Sequence, residues 1–352
     1  MRIDEPEDTL TPAVVEYLRG KIERVKSFEY SLSSFANHVE EVVQNVISRL
    51  DDADASQDPE LKKEFYILSL FYIEQLDGQI ETFRLAERSM KDDRWIVLKY
   101  VAFDAANRLN LSSKPVPFFG DSFKCTGSFI YKKYYGLELA PLYQVATNIS
   151  DPVVFWVLIG HEIGHCKLSE KDVPENLKRK LVENNLGDEK YMARLHEILS
   201  DILATRIYGL AFFASFVTEL RLVSDLLDAE YYPRFHFRLL LMSKVLENMG
   251  YGDIISRIVN IDERDAEREE IAFLTDDIID VCTGVVPSVT NFEQSIKYVD
   301  DLSKIPKGRV DILYNAAWLS FLQGKKNLER ISEDVFRVLK RWSANSEPST
   351  EL

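Results

Sequence analysis

Apolar residues recur at helical spacing along most of this chain. Leu61, Phe65, Leu68, Ile73, Leu76, Ile80 and Phe83 fall three to five residues apart, so residues 58–89 read as one amphipathic helix. The same periodicity predicts helices over 12–50 and 93–108, with the polar run Asp51 to Pro59 as the break after the first. Beyond Arg238 it predicts helices over roughly 234–249, 252–260, 264–283, 289–302, 309–323 and 331–343.

Between Lys114 and Asn148 the pattern changes. Pro115, Pro117, Gly120, Gly127 and Gly136 punctuate short aromatic and β-branched runs, and Phe123 to Tyr131 and Leu137 to Thr147 read as strands. The chain is therefore expected to be mainly α, of α+β type, with a small mixed sheet. Four regions follow: an N-terminal helical region (1–110), a core (111–250), a C-terminal helical region (251–345) and a disordered tail (346–352).

Within the core, Val153, Val154, Phe155, Trp156, Val157, Leu158 and Ile159 cover every side of a predicted helix, which marks it as central and buried. Ser150-Asp151 ahead of Pro152 gives its start, an N-cap acceptor followed by a proline at the first helical position. Into this apolar helix the sequence sets His161, Glu162 and His165. Buried polar groups without partners cost on the order of 1–3 kcal/mol each, so three ionisable groups here need a compensating ligand.

Their spacing names one. Four residues is just over one helical turn, so both imidazoles leave the same face. The His-Glu-x-x-His pattern supplies two zinc ligands and, in Glu162, a carboxylate placed to take a proton from an activated water. With five His in 352 residues, chance produces it in roughly one such chain in 200. Gly160 and Gly164 cost about 1 kcal/mol each in helix propensity, which implies close approach of another backbone or a substrate. Cys166, about 100° round the helix from His165, reads as a small buried residue.

A hydrolytic zinc normally has three protein ligands and one open position. Candidates for the third lie in Asp188 to Ala204, a second predicted helix with Asp188 as its cap. Glu197 and Asp201, four apart, share a face, so Glu197 is the preferred third ligand. Asp201 is then the acceptor that holds a histidine ring by its other N–H. His196 competes, but it points about 100° away from Glu197. A longer motif with Gly three and His six positions after the second histidine is ruled out by Leu168 and Lys171.

These residues carry a family resemblance. His161-Glu-Ile-Gly-His165 followed by Glu197-Ile-Leu-Ser-Asp201 and Ala204 resembles the gluzincin metallopeptidases, in particular soluble relatives of the HtpX and CAAX prenyl endopeptidase type. That family also carries a later His-Pro segment with an arginine six positions on. In Tyr232-Pro233-Arg-Phe-His-Phe-Arg238 the proline and arginine match, and Tyr232 stands at the histidine position.

The resemblance implies a zincin-like helical core with its sheet beside the active-site helix, and a zinc peptidase acting on a protein or peptide. Zinc held by His161, His165 and Glu197 would acidify a water, and Glu162 would accept its proton and pass it to the leaving amine. A donor among Tyr232, His236 and Arg238 would stabilise the oxyanion. Leu142 to Ala146, just before the helix, is expected to be an edge strand that aligns an extended peptide. The HEIGH segment also resembles the ImmA/IrrE-type metallopeptidases, which act on transcriptional regulators. Glu197 and Asp201 fit the first family better.

Composition removes other classes. The net charge of −15 and the lack of a basic, aromatic-interleaved stripe exclude a nucleic-acid partner. Cys125, Cys166 and Cys282 are odd in number and scattered, which implies a reducing, cytoplasmic setting. The acidic N-terminus has no apolar signal core, and no apolar run reaches the roughly 18–20 residues of a membrane span. The competing readings are a catalytically silent or regulatory zinc-binding protein, and a helical interaction protein that works through residues 1–110.

Overall fold

The apolar stripes fold into a mainly α-helical chain. The computed structural model describes residues 10–27, 33–112, 114–120, 124–127, 143–148, 152–220, 231–287 and 289–344. The capping pair Ser150-Asp151, the run from 128 to 142 and the tail 346–352 lie outside them. Two compact units result, one built on residues up to Arg88 and the other on Ser89–Cys125 with Tyr143–Ser349. The division therefore falls well before residue 110, and the helices after residue 250 share a unit with the core.

In the first unit, residues 12–50 form two helices rather than one, α1 (Leu10–Lys26) and α2 (Ser33–Ala55). α3 (Pro59–Ser89) follows after a shorter break than expected, because α2 runs on to Ala55 and the Asp58 carboxylate accepts the Glu60 N–H at 3.0 Å, starting the next helix at once. Leu18, Ile22 and Val25 of α1, Val42, Val43 and Val46 of α2, and Ile73, Leu76, Ile80 and Phe83 of α3 are buried. The stripe on α3 begins later than its apolar pattern suggests: Leu61 is exposed, and Tyr66 and Ser69 take the buried positions instead.

The second unit opens with α4 (Trp95–Arg108) and a small sheet of β1 (Val116–Gly120), β2 (Lys124–Gly127) and β3 (Tyr143–Asn148) in the order β1-β3-β2. β1 and β3 run parallel, with Phe118 opposite Ala146 and Phe119 opposite Thr147. β1 was hidden in the sequence by Pro115 and Pro117. An outer strand tolerates a proline, and the Pro117 carbonyl still accepts the Trp95 indole N–H at 2.8 Å. β3 lies in the middle, which overturns the expectation that Leu142 to Ala146 offers a free edge: a strand paired on both sides has no backbone groups left for a peptide.

Pro152 (φ −53°, ψ 142°) precedes the site helix instead of sitting inside it. Val153–Leu158 form a fully buried 3-10 turn, and α5 (Ile159–Lys171) starts only afterwards. After α6 (Glu175–Glu183), α7 (Glu189–Tyr208) begins at Asp188, whose carboxylate accepts the Tyr191 N–H at 3.2 Å. α7 continues a turn past Ala204 to Gly209, whose φ of 57° ends it. α5 and α7 pack along much of their length.

Among the described residues, eight further α-helices follow in this unit: α8 (Leu210–Leu220), α9 (Phe235–Asn248), α10 (Gly252–Ile258), α11 (Glu263–Ala266), α12 (Thr275–Val285), α13 (Phe292–Ser295), α14 (Val310–Leu322) and α15 (Leu328–Ala344). The long helices expected over 264–283 and 289–302 are broken into short pieces. In the first, the buried Glu269 carboxylate binds Arg194 and the Arg234 N–H, each at 2.8 Å. In the second, Asn291 and Gln294 form a capping box that begins a new helix. No described helix is long and apolar enough to cross a membrane.

Candidate metal centre

Helical spacing sets which side chains share a face, and small residues set which faces meet. His161 and His165 lie one turn apart on α5, their ring centroids 4.6 Å apart and their planes nearly perpendicular at 89°. On the flank beside them, a Cβ on Gly164 would stand 2.9 Å from Ser200 Cα, and one on Gly160 would stand 3.1 Å from the Tyr208 ring. The close approach that the glycines imply is therefore that of α7. It carries Glu197 and Asp201 alongside the two histidines.

Three ligand-type side chains converge. His161 Nε2 and His165 Nε2 are 3.0 Å apart, Glu197 Oε2 lies 3.3 Å from the first, and Glu197 Oε1 lies 3.3 Å from the second. Zinc bonds of about 2.0–2.1 Å in a tetrahedron separate the ligand atoms by about 3.3 Å, so the triangle has the dimensions of one face of such a site. Among the described residues this is the one group of His, Cys, Asp and Glu side chains that could hold a metal ion. Side-chain exposures of 14% for His161, 22% for His165 and 17% for Glu197 leave the group partly accessible to solvent.

Behind the triangle, Asp201 is buried and accepts from His161 Nδ1 at 2.8 Å. Because a carboxylate only accepts, His161 carries its proton on Nδ1 and turns Nε2 toward the triangle. Arg238 of α9 grips Asp201 with two bonds, Nε to Oδ2 at 2.6 Å and Nη2 to Oδ1 at 2.9 Å. Its Nη2 also lies 3.7 Å from Glu197, and its guanidinium packs over the Phe216 ring at 4.7 Å. The arginine thus fixes the outer carboxylate.

The electrostatics ask for a cation. Burial pushes His161 down, but hydrogen bonds to Asp201 and Glu197 outweigh it and raise the imidazole to about 10. Burial likewise pushes Glu197 and Asp201 up. The histidines bring Glu197 down instead, and Arg238 with His161 brings Asp201 down. Two imidazole nitrogens and a carboxylate have been brought together where each favours positive charge. Zinc, with its preference for nitrogen and carboxylate oxygen, fits this donor set.

The remaining sequence candidates separate. Tyr232 is 40% exposed, and its phenol is held above its ordinary range by the Glu197 charge and then by burial, with Glu162 adding to the rise and Arg238 opposing it. It stays protonated, hence able to donate. His236 is engaged elsewhere: its Nδ1 accepts the Asp262 N–H at 3.2 Å. His196 is half-buried and interacts electrostatically with Asp172, outside the ligand group. Cys166 is buried, with its thiol toward the Glu162 carbonyl at 3.3 Å.

One contact was not read from the sequence. Ser200 Oγ lies 3.1 Å from His165 Nδ1, so both rings on α5 are held by consecutive residues of α7. The available signal was Gly164, since a glycine at a helix crossing demands a small residue opposite. Comparison of the chain with protein-family models, with curated proteins and with solved structures gives no match.

Proposed function

We propose that this protein is a zinc-dependent peptidase of gluzincin type, with a zincin-like core and a small mixed sheet beside the site helix. The observation that carries the reading is the triangle of His161, His165 and Glu197, sized for zinc, partly accessible to solvent and backed by Asp201. Zinc, when bound, supplies Lewis acidity to water and to a carbonyl oxygen.

The chain's own residues do the rest. Glu162 takes the proton of the attacking water and returns it to the leaving amine. Asp201 keeps the His161 ring in its ligand tautomer, and Arg238 keeps Asp201 ionised and aimed. Tyr232, a neutral phenol that feels the charges of Glu197 and Glu162, donates to the oxyanion as the peptide carbonyl becomes tetrahedral. His236 is not assigned that role, because Asp262 already occupies its Nδ1. The substrate is a protein or peptide. Buried Cys166 and Cys282 suit a cytoplasmic setting.

The test is Glu162→Gln. Zinc content and thermal unfolding should match wild type, while cleavage of a peptide library falls by about 10²- to 10⁴-fold. Wild type and variant equally inactive on every library, with zinc bound in both, would replace the peptidase by a regulatory zinc protein.

A further inference from the structure

We infer that Ser200 is a positioning residue for His165, its buried hydroxyl holding the ring by Nδ1 so that Nε2 faces Glu197. The purpose of such a device rests on the metal reading above; the contact itself does not.

The seam between α5 and α7 makes the contact possible. A serine hydroxyl reaches only one bond beyond Cβ, so it can bind a ring on the facing helix only where the backbones nearly touch. That point is Gly164, where an added Cβ would meet Ser200 Cα at 2.9 Å, Cβ at 3.1 Å and carbonyl oxygen at 3.2 Å. Ser200 is fully buried there, and the neighbouring His165 offers Nδ1 at 3.1 Å. No water competes at a buried hydroxyl, so this bond sets the ring plane.

The choice of serine has a chemical consequence. Asp201 can only accept, which commits His161 to the tautomer protonated on Nδ1. The Ser200 hydroxyl can accept from His165 Nδ1, 3.1 Å away, which leaves His165 Nε2 facing Glu197 Oε1 at 3.3 Å. An alanine at position 200 would leave the ring unheld at Nδ1.

The experiment compares wild type with Ser200→Ala and Ser200→Thr. Zinc affinity, measured by competition with a chromophoric chelator, should fall by about 10- to 100-fold in Ser200→Ala and return to within about threefold of wild type in Ser200→Thr. On metal-free protein, histidine side-chain nitrogen spectra should show one set of His165 signals in wild type and broadened or doubled signals in Ser200→Ala. Should Ser200→Ala unfold, the threonine variant still decides: loss of affinity in a folded protein that keeps the hydroxyl would overturn the proposal. It is equally overturned if Ser200→Ala keeps wild-type affinity and a single set of His165 signals. If wild type binds no zinc, the metal reading falls, and the metal-free spectra still judge Ser200.

Discussion

Two ionic clusters of the second unit differ in how their carboxylates are matched. At the α5–α7 seam, Glu197 and Asp201 face the single guanidinium of Arg238 and two imidazoles. Beside α4 and α14, Asp104 and Asp311 are matched by two arginines: Arg108 bonds Asp104 at 3.0 Å and Asp311 at 2.9 Å, and Arg309 bonds Asp311 at 3.1 Å. Thr290 donates to the same Asp311 carboxylate. The second cluster closes on itself as a structural clamp. The first gathers the lone pairs of two imidazoles and a carboxylate at one point, a set that a divalent cation can fill. Buried acids alone therefore do not mark a metal site; an unmatched set of lone pairs does.

The largest separation between the two clusters should come from removing an arginine. Arg238→Ala leaves buried Asp201 without its main cationic partner and should cost about 3–5 kcal/mol in chemical denaturation. Arg309→Ala leaves Asp311 paired with Arg108, and Arg309 is 40% exposed, so its cost should stay under about 1 kcal/mol. Equal costs would erase the distinction between them.

A pH titration of metal-free protein separates them next. His161 is raised from 6.5 to about 10, so the stability it contributes is fully present below pH 6.5 and is lost as pH rises through 10. Zinc binding near pH 8 should accordingly release about one proton from His161, visible by calorimetry in buffers of different ionisation enthalpy. In the Asp311 cluster burial raises Asp104 only to about 6, so that cluster should change little above about pH 7. Zinc binding without proton release would contradict the assignment.

Smaller, and confined to the site, is the effect of Tyr232→Phe. It should lower kcat by about 10- to 1,000-fold with KM nearly unchanged, because the donor acts mainly in the transition state. The smallest effect is expected for His236→Ala, with kcat within about twofold of wild type and a loss of about 1 kcal/mol from the freed Asp262 N–H. A collapse in kcat for His236→Ala, with Tyr232→Phe unaffected, would move the donor role to the histidine.

Local spacing made much of this legible. That His161 and His165 share one face, and Glu197 and Asp201 another, follows from the helical period. The mainly helical character follows from the apolar stripes. Which faces meet is a long-range matter, and there the sequence spoke only through Gly160 and Gly164. Ser200 was missed because its role exists only at their crossing. β3 was read as an edge because strand order is not local, and β1 was passed over because its prolines suit an outer strand as well as a loop. The helices after residue 260 were read too long because Glu269, apparently a surface residue, turns inward to Arg194.

The central claim is that His161, His165 and Glu197 at the α5–α7 seam hold one zinc ion. Metal analysis of the purified protein, with His161→Ala, Glu197→Ala and His196→Ala alongside, tests it most directly. The account predicts close to one zinc per chain in wild type and His196→Ala, and loss of that zinc in the other two. Wild type that binds no metal, or Glu197→Ala that keeps its zinc while His196→Ala loses it, would contradict it.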